Sequence, residues 1–173
     1  MIPNDLLEVI RREFVLHWHG IHGASHWARV RSNGMRLAEL TGANPDVVEL
    51  FAFLHDLKRA NDAVDPDHGR RAAEFIATLR ESHIDLSDRD FKHLRYACEY
   101  HSDGLILGDV TVQTCWDADR LDLGRIGIKP QPRYLCTSAA REPAMIEWAF
   151  LRSRRAAHTM GWIRGKCGGK NGN

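Results

Sequence analysis

The chain has 173 residues and carries 24 Lys and Arg against 23 Asp and Glu, a formal charge of +1 with neutral histidine. That length is enough to bury a core without disulfides, and the balanced charge gives no reason to expect binding to nucleic acid or to a membrane surface. The four cysteines are scattered with no Cys-x-x-Cys pair, which excludes a zinc ribbon and a thioredoxin-like redox site. The ten histidines are the one compositional indication of chemistry.

The first third of the chain has helical spacing of its apolar residues. Residues 6–18 predict an amphipathic helix, capped at residue 4 or 5. A second helix is expected from His26 to about Thr41, capped near residue 25, with Leu40 among its core-facing side chains. Pro45 then opens a third helix, in the first turn where proline is tolerated.

Helical spacing continues through the rest of the chain. A fourth helix is expected over residues 70–80, and a fifth begins at Ser87 and runs to about His101. A sixth helix is expected within residues 110–123, and a last one runs from Pro143 to about residue 160. No alternating apolar and polar segment is long enough to indicate a sheet. The predicted fold is therefore all-α, with six to eight helices.

The segments at the two ends of the chain set the expected organisation. Residues 1–163 are expected to form a single domain, and the Gly-rich residues 164–173 a flexible tail. The start has charges inside its apolar pattern, which does not fit a secretory signal, and no apolar run approaches the length of a membrane span. We therefore expect a soluble, reduced, cytoplasmic protein.

The stretch FAFLHDLKRAND, residues 51–62, raises the question of function. Its apolar run ends abruptly at His55 and Asp56. Further polar residues fall at the ends of other predicted helices, namely His26, His68, His101 and the pair Asp117 and Asp119. Imidazole and carboxylate ligands together suit divalent Mn, Fe, Co, Ni or Zn. No cysteine belongs to the pattern, which argues against a structural zinc site.

The stretches HGIHGASHWARV, FAFLHDLKRAND and CWDADRLDLG, taken in order, resemble the HD-domain superfamily of metal-dependent phosphohydrolases. The resemblance covers roughly residues 20–130 and implies a compact helical HD-domain fold. It implies four metal ligands, which are His26, His55, Asp56 and Asp119.

Asp117 and His22 each lie close in the sequence to one of these ligands. Asp119 is preferred to Asp117 because the family's last ligand precedes a basic and then a hydrophobic residue. Asp117 is then expected to support the ligands or to face the substrate. His22, four residues before His26, is the rival for the first ligand.

His68 and His101 stand where some family members carry two further histidines. The resemblance therefore extends to the binuclear subset, with Asp56 as the bridge between two ions. In mononuclear members such positions act as an acid or bind phosphate, and the sequence leaves both roles open.

Several basic residues are candidates for orienting a phosphate group. Lys58 and Arg59 directly follow the doublet, and Arg120 follows the proposed last ligand. Arg29 lies one turn after His26, on the same helix face. For Lys58 and Arg59, a solvated helix end is the alternative.

The implied function is hydrolysis of a nucleotide or another small phosphate ester or anhydride through metal-activated water. One or two divalent ions are expected, among Mn, Fe, Co, Ni, Zn and Mg. The alternatives are a di-iron oxygenase of the same fold and a non-catalytic metal-binding sensor module. No G-Y-P element is present, and the last Asp is followed by R-L-D-L where alarmone hydrolases have R-L-H-N. No membrane or specific nucleic-acid partner is expected, and a homo-oligomer is left open.

Overall fold

A computed structural model describes residues 2–166, with the side chains of residues 2–155. Within that part the chain forms α-helices and two 3-10 turns and contains no strand, which confirms the all-α prediction. The helices are α1 Asn4–Glu13, α2 Ala24–Thr41, α3 Pro45–Leu54, α4 His68–Thr78, α5 Asp88–Tyr100, α6 Val110–Arg120, α7 Ser138–Arg141 and α8 Pro143–Lys166. The 3-10 turns are Leu123–Ile126 and Pro132–Tyr134.

Side-chain caps fix where four of the helices begin. Each capping oxygen accepts a hydrogen bond from a backbone N–H in the first turn, which satisfies a donor the helix itself leaves free. The caps are Asn44 before α3, Ser87 before α5, Asp109 before α6 and Thr137 before α7. The expected starts at Pro45 and after Ser87 are confirmed. By contrast, α2 begins at Ala24 after Gly23, which makes no side-chain cap.

Other boundaries differ from the sequence-based expectation. The fourth helix already begins at His68, and the short helix α7 was not expected. The last helix continues to Lys166, so it includes the first residues of the expected tail, and residues 167–173 lie outside the described residues. The expectation for Leu40 was wrong, since it is 63% exposed. Leu40 follows the buried Ala38 by about 200° around the helix axis and therefore faces away from the core.

Close packing of α2, α3 and α6 builds the frame of the molecule. Helix α2 packs against both others, and α3 also contacts α5 and α6. At Gly34 a Cβ atom would lie 2.4 Å from a methyl carbon of Val48 and 3.3 Å from the Cβ of Ala118, so only glycine permits this approach. Phe51 and Leu54 of α3 are fully buried. Burial of such side chains contributes about 1.5–3 kcal/mol each and holds the end of α3 in place.

Helices α4 and α5 pack against each other beside this frame. Their contact is very close at Gly69, where a Cβ atom would lie 2.5 Å from the carbonyl oxygen of Glu99 and 2.7 Å from that of Cys98. The start of α4 therefore lies directly against the end of α5. This approach brings His68 next to His101.

A second, smaller apolar cluster lies where α2 meets the segments that follow α6. Its buried residues are Leu37, Leu121, Leu135, Ala140, Met145, Ile146 and Ala149. They fasten α7 and the first part of α8 to the frame. Among the described residues, no helix combines the length and the apolar character needed to cross a membrane.

Candidate metal centre

Six side chains that the sequence singled out converge at the ends of the helices, and we call them the polar cluster. They are His26 of α2, His55 and Asp56 at the end of α3, His68 at the start of α4, His101 after α5 and Asp119 in the last turn of α6. The first five are at most 5% exposed. The Asp119 side chain is 16% exposed, which makes it the most accessible member.

The first half of the polar cluster consists of His26, His55, Asp119 and one oxygen of Asp56. The Nε2 atoms of His26 and His55 lie 3.1 Å apart. Oδ1 of Asp119 lies 3.4 Å from the first and 3.8 Å from the second, and Oδ2 of Asp56 lies 3.6 Å from each. Four ligand atoms therefore surround one small volume.

The second half consists of His68, His101 and the other oxygen of Asp56. The two Nε2 atoms lie 2.8 Å apart, and Oδ1 of Asp56 lies 3.2 Å from that of His68 and 3.5 Å from that of His101. Asp56 thus presents one oxygen to each half, which is the arrangement that a shared ligand would need.

Hydrogen bonds on the outer side of each ring fix the tautomers. All four Nδ1 atoms lie next to oxygens that can only accept, so Nδ1 carries the proton and Nε2 presents a lone pair to the cluster. The four bonds run from His26 to Oδ2 of Asp122, from His55 to the carbonyl of Phe51, from His68 to the carbonyl of Asp65, and from His101 to the carbonyl of Cys98.

The first half fits a bound cation. Two Nε2 lone pairs face each other there, and the carboxylate oxygens beside them are acceptors as well. Within the described residues, Oδ1 of Asp119 is buried without a hydrogen-bond donor. Acceptors brought together without a donor repel one another, and a buried one left unpaired is costly. A divalent ion bound by nitrogen and oxygen resolves both problems.

The protonation states of the first half favour the same conclusion. Burial, followed by the charge of Arg125, holds the pKa of His26 well below its usual range, and burial also lowers the pKa of His55. Burial alone would raise the pKa of Asp56 and of Asp119, but neighbouring groups outweigh it and lower both: His55, His101 and His68 for Asp56, and His55 followed by Arg125 for Asp119. Neutral imidazoles and ionised carboxylates are the forms that bind metal.

In the second half, a hydrogen-bond donor joins the acceptors. Nη1 of Arg59 donates to Nε2 of His68 over 3.2 Å and lies 3.6 Å from Oδ1 of Asp56. Burial lowers the pKa of His101, but its contact with Asp56 outweighs burial and the net pKa is raised. The expected proximity of Arg59 to the cluster is therefore found.

The structure does not bring Lys58 and Arg120 to the polar cluster, contrary to the expectation that they orient a phosphate. Nζ of Lys58 pairs with Glu13 over 3.2 Å and lies 4.7 Å from the ring centre of Phe75. Arg120 instead joins the segment before α6 to the segment before α7. Its guanidinium donates to the carbonyls of Tyr134 and Leu105 and to the sulfur of Cys136.

Asp117 binds the segment before α7 and makes no hydrogen bond to the polar cluster among the described residues. Its carboxylate accepts from the backbone N–H groups of Cys136 and Thr137, at 2.6 and 2.8 Å, and from the Thr137 hydroxyl. It therefore fastens the segment before α7 to α6, and the expectation that it supports the ligands or faces the substrate was wrong. His22 pairs through Nδ1 with Asp62 over 2.9 Å, beside the cluster.

Two residues that the sequence pattern did not indicate lie against the ligands. Asp122 accepts from Nδ1 of His26 over 2.7 Å and from Nε and Nη2 of Arg29 over 2.6 and 3.0 Å. Arg29 therefore acts on His26 through Asp122. Nη1 of Arg125 lies 3.8 Å from Oδ1 of Asp119. The spacing of Asp122, three residues after Asp119, could have indicated a shared face, whereas nothing in the pattern distinguishes Arg125.

Comparison with known proteins gives a structural neighbour. No protein-family model and no curated protein sequence matches the chain. Among solved structures, the chain is similar to a predicted HD superfamily hydrolase from an uncultured Thermotogales bacterium. The two are 24% identical, the match covers 95% of this chain and 92% of the other, and the TM-score is 0.64. At this identity the likeness establishes a shared fold.

Proposed function

We propose that this chain, which has the HD-domain fold, is a metal-dependent phosphohydrolase acting on a nucleotide or another small phosphate ester or anhydride. The observation that carries the proposal is the first half of the polar cluster, where buried acceptors meet without a donor. A cation bound among these described side chains would neutralise the facing acceptors, and nitrogen and oxygen ligands suit a divalent one.

The proposed ligands are His26, His55, Asp56 and Asp119. A divalent ion bound there would supply Lewis acidity, which would lower the pKa of water so that hydroxide is available near neutral pH and would offset charge on the phosphoryl oxygens. The chain's own contribution is orientation. Asp122 keeps the proton of His26 on Nδ1, and the buried end of α3 holds His55 and Asp56 in register.

The second half of the cluster is proposed to handle the proton and the phosphate. The raised pKa of His101 lets its ring hold a proton nearer neutral pH, and a positioned imidazolium can protonate a leaving oxygen. His68 lies in contact with His101 and accepts from Arg59, so it is proposed to position these two groups. Arg59 adds a permanent positive charge beside Asp56, and its remaining N–H groups can bind a phosphoryl oxygen.

The burial of the cluster supports a small substrate. Only Asp119 has an appreciable exposed fraction, so access from solvent is narrow. A phosphate group at the end of a small molecule can enter such an opening more easily than the backbone of a folded polymer. The nucleotide is the natural class to test first, with sugar phosphates and inorganic pyrophosphate beside it.

The test is phosphate release from that panel by metal-supplemented protein and by its His55→Ala and Asp56→Ala variants. We expect turnover by the wild type and none above background by either variant. Lys58→Ala is the matched control, because Lys58 is close in sequence but points away from the cluster. Circular dichroism establishes that the variants are folded.

Turnover that survives in both ligand variants would contradict the proposal. Oxygen-dependent turnover with iron and without phosphate release would favour the di-iron oxygenase instead. Full metal occupancy without turnover on the whole panel would favour a sensor module.

A further inference from the structure

The environment of Nε2 of His68 bears on how many metal ions the polar cluster can hold. That nitrogen has a single lone pair, since the Nδ1 proton of the same ring is donated to the carbonyl of Asp65. The lone pair accepts a hydrogen bond from Nη1 of Arg59 over 3.2 Å. The nitrogen is therefore already satisfied by a group of the protein.

A second ion, next to the one proposed for the first half, would need the three ligand atoms of the second half. These are Oδ1 of Asp56, Nε2 of His68 and Nε2 of His101. One lone pair cannot both accept an N–H and bind a metal. The guanidinium also lies 3.6 Å from Oδ1 of Asp56, an oxygen that is buried without a hydrogen-bond donor among the described residues, so Arg59 offers it compensating charge but no hydrogen bond.

We infer that the centre binds one divalent ion, in its first half, and that the Arg59 guanidinium takes the place of a second ion in the other half. The inference rests on the proposed function only in using the same metal ligands. It does not depend on turnover. An arginine cannot lose its proton in a protein, so it supplies fixed positive charge but no Lewis acidity.

Arg59 is held in this position from all sides. It is 9% exposed, and besides its contact with His68 it donates through Nε to the carbonyl of Asn61 and through Nη2 to that of Ala63, at 3.3 and 2.8 Å. Rotating the guanidinium away would break all three hydrogen bonds at once. A flexible surface arginine would move aside for an ion, but the hydrogen bonds to the loop carbonyls hold this one in place.

The loop that Arg59 anchors is itself fastened at Asp65. The Asp65 carboxylate accepts from the backbone N–H of Ala60 over 2.8 Å and from Nη2 of Arg71 over 2.8 and 2.7 Å. Its carbonyl accepts from His68. The same residue therefore fixes both the loop that carries Arg59 and the ring that Arg59 contacts, which keeps the donor and the acceptor in register.

The experiment counts bound ions. Wild-type protein is equilibrated with excess Mn²⁺, freed from unbound metal by equilibrium dialysis, and analysed for metal per chain, with calorimetric titration as the second measurement. We expect one ion per chain. In Arg59→Leu the competing donor is gone, and we expect two. Arg59→Lys, which keeps the charge, and Lys58→Leu, which changes the neighbouring basic residue outside the cluster, are both expected to bind one.

Two ions bound to the wild type would overturn the inference, whether or not any variant folds. One ion bound to a folded Arg59→Leu variant would overturn it too, because Arg59 would then not be what excludes the second. His68→Gln gives a further control. It leaves the count at one if the inference is right, and lowers it from two to one if both halves bind metal. Absence of phosphate release would count against the proposed function but would leave this ion count unaffected.

Discussion

The two halves of the polar cluster both contain two histidines and one oxygen of Asp56, but their third partner is the carboxylate of Asp119 in the first half and the guanidinium of Arg59 in the second. Each has two histidines with Nε2 lone pairs pointing inward, and they share Asp56. Among the described residues, no side chain donates a hydrogen bond to the ligand atoms of the first half, although Nη1 of Arg125 lies 3.8 Å from Oδ1 of Asp119, whereas in the second half Arg59 donates to His68 over 3.2 Å. A set of metal-capable side chains therefore does not by itself determine how many ions it binds. A neighbouring donor changes what the same ligands can hold.

The largest effect should come from comparing one histidine of each half. We expect His26→Gln to lower metal affinity by more than about 100-fold. Loss of a group that only supports a ligand already costs about 10–100-fold, and this variant removes the ligand itself. His101→Gln should leave affinity within a few-fold and lower turnover by about 10²–10⁴-fold, the usual contribution of an acid or base. Calorimetric metal titration and steady-state phosphate release measure the two quantities.

An equal loss of metal affinity in both variants would contradict this prediction, since the second half would then bind metal as strongly as the first. The prediction also fails if His101→Gln turns over as fast as the wild type. Thermal melts in the presence of a chelator separate these effects from loss of folding.

A smaller effect is expected from the support of the first half. Asp122→Asn should weaken metal binding by about 10–100-fold, because the amide no longer offers His26 and Arg29 a charged acceptor. Its matched control is Asp117→Asn, a buried carboxylate that binds only the segment before α7. That variant should lose about 1–3 kcal/mol of stability with metal affinity unchanged.

Nitrogen NMR of the His26 ring gives a readout for Asp122 that does not need metal. The wild type should show the proton on Nδ1, and Asp122→Asn should shift the ring towards a mixture of tautomers. Equal metal affinity for Asp122→Asn and Asp117→Asn would show that Asp122 has no special part in positioning His26.

The smallest effect is expected at Lys58, outside both halves. Lys58→Ala removes a partly exposed ion pair with Glu13, which costs less than about 1 kcal/mol of unfolding free energy. Turnover and metal count should not change. A large loss of turnover would mean that Lys58 reaches the substrate, and the assignment of the phosphate-facing charge to Arg59 would need revision.

Much of this arrangement could be predicted from the sequence, for physical reasons. Helix starts with a capping side chain, such as those after Asn44 and Ser87, follow from local hydrogen bonding. Residues such as His26, His55 and Asp119 lie at the ends of buried helices. Helices that pack around one core begin or end on the same side of it, so these side chains lie close together. The likeness in fold to a predicted HD superfamily hydrolase agrees with the three motif stretches that carried the resemblance.

Other features depend on side-chain directions that the sequence does not specify. Lys58 and Arg59 are adjacent and both basic, yet one turns outward to Glu13 and the other inward to His68. Neighbouring positions on a helical turn point about 100° apart, so the fold chooses between them. Asp117 and Asp119 are separated for the same reason, and the supporting role of Asp122 becomes visible only when α2 and the turn after α6 are packed together.

The absence of a side chain at Gly69 lets α4 and α5 approach each other closely beside the second half of the cluster. Because the start of α4 rests directly on the last carbonyls of α5, the spacing between His68 and His101 is set by the missing side chain at the neighbouring position. Cys98, whose carbonyl Gly69 touches, also accepts from Nδ1 of His101. One added methyl group at residue 69 would therefore push α4 away from α5 and increase the distance between the two imidazoles. No polar atom of the site would be replaced.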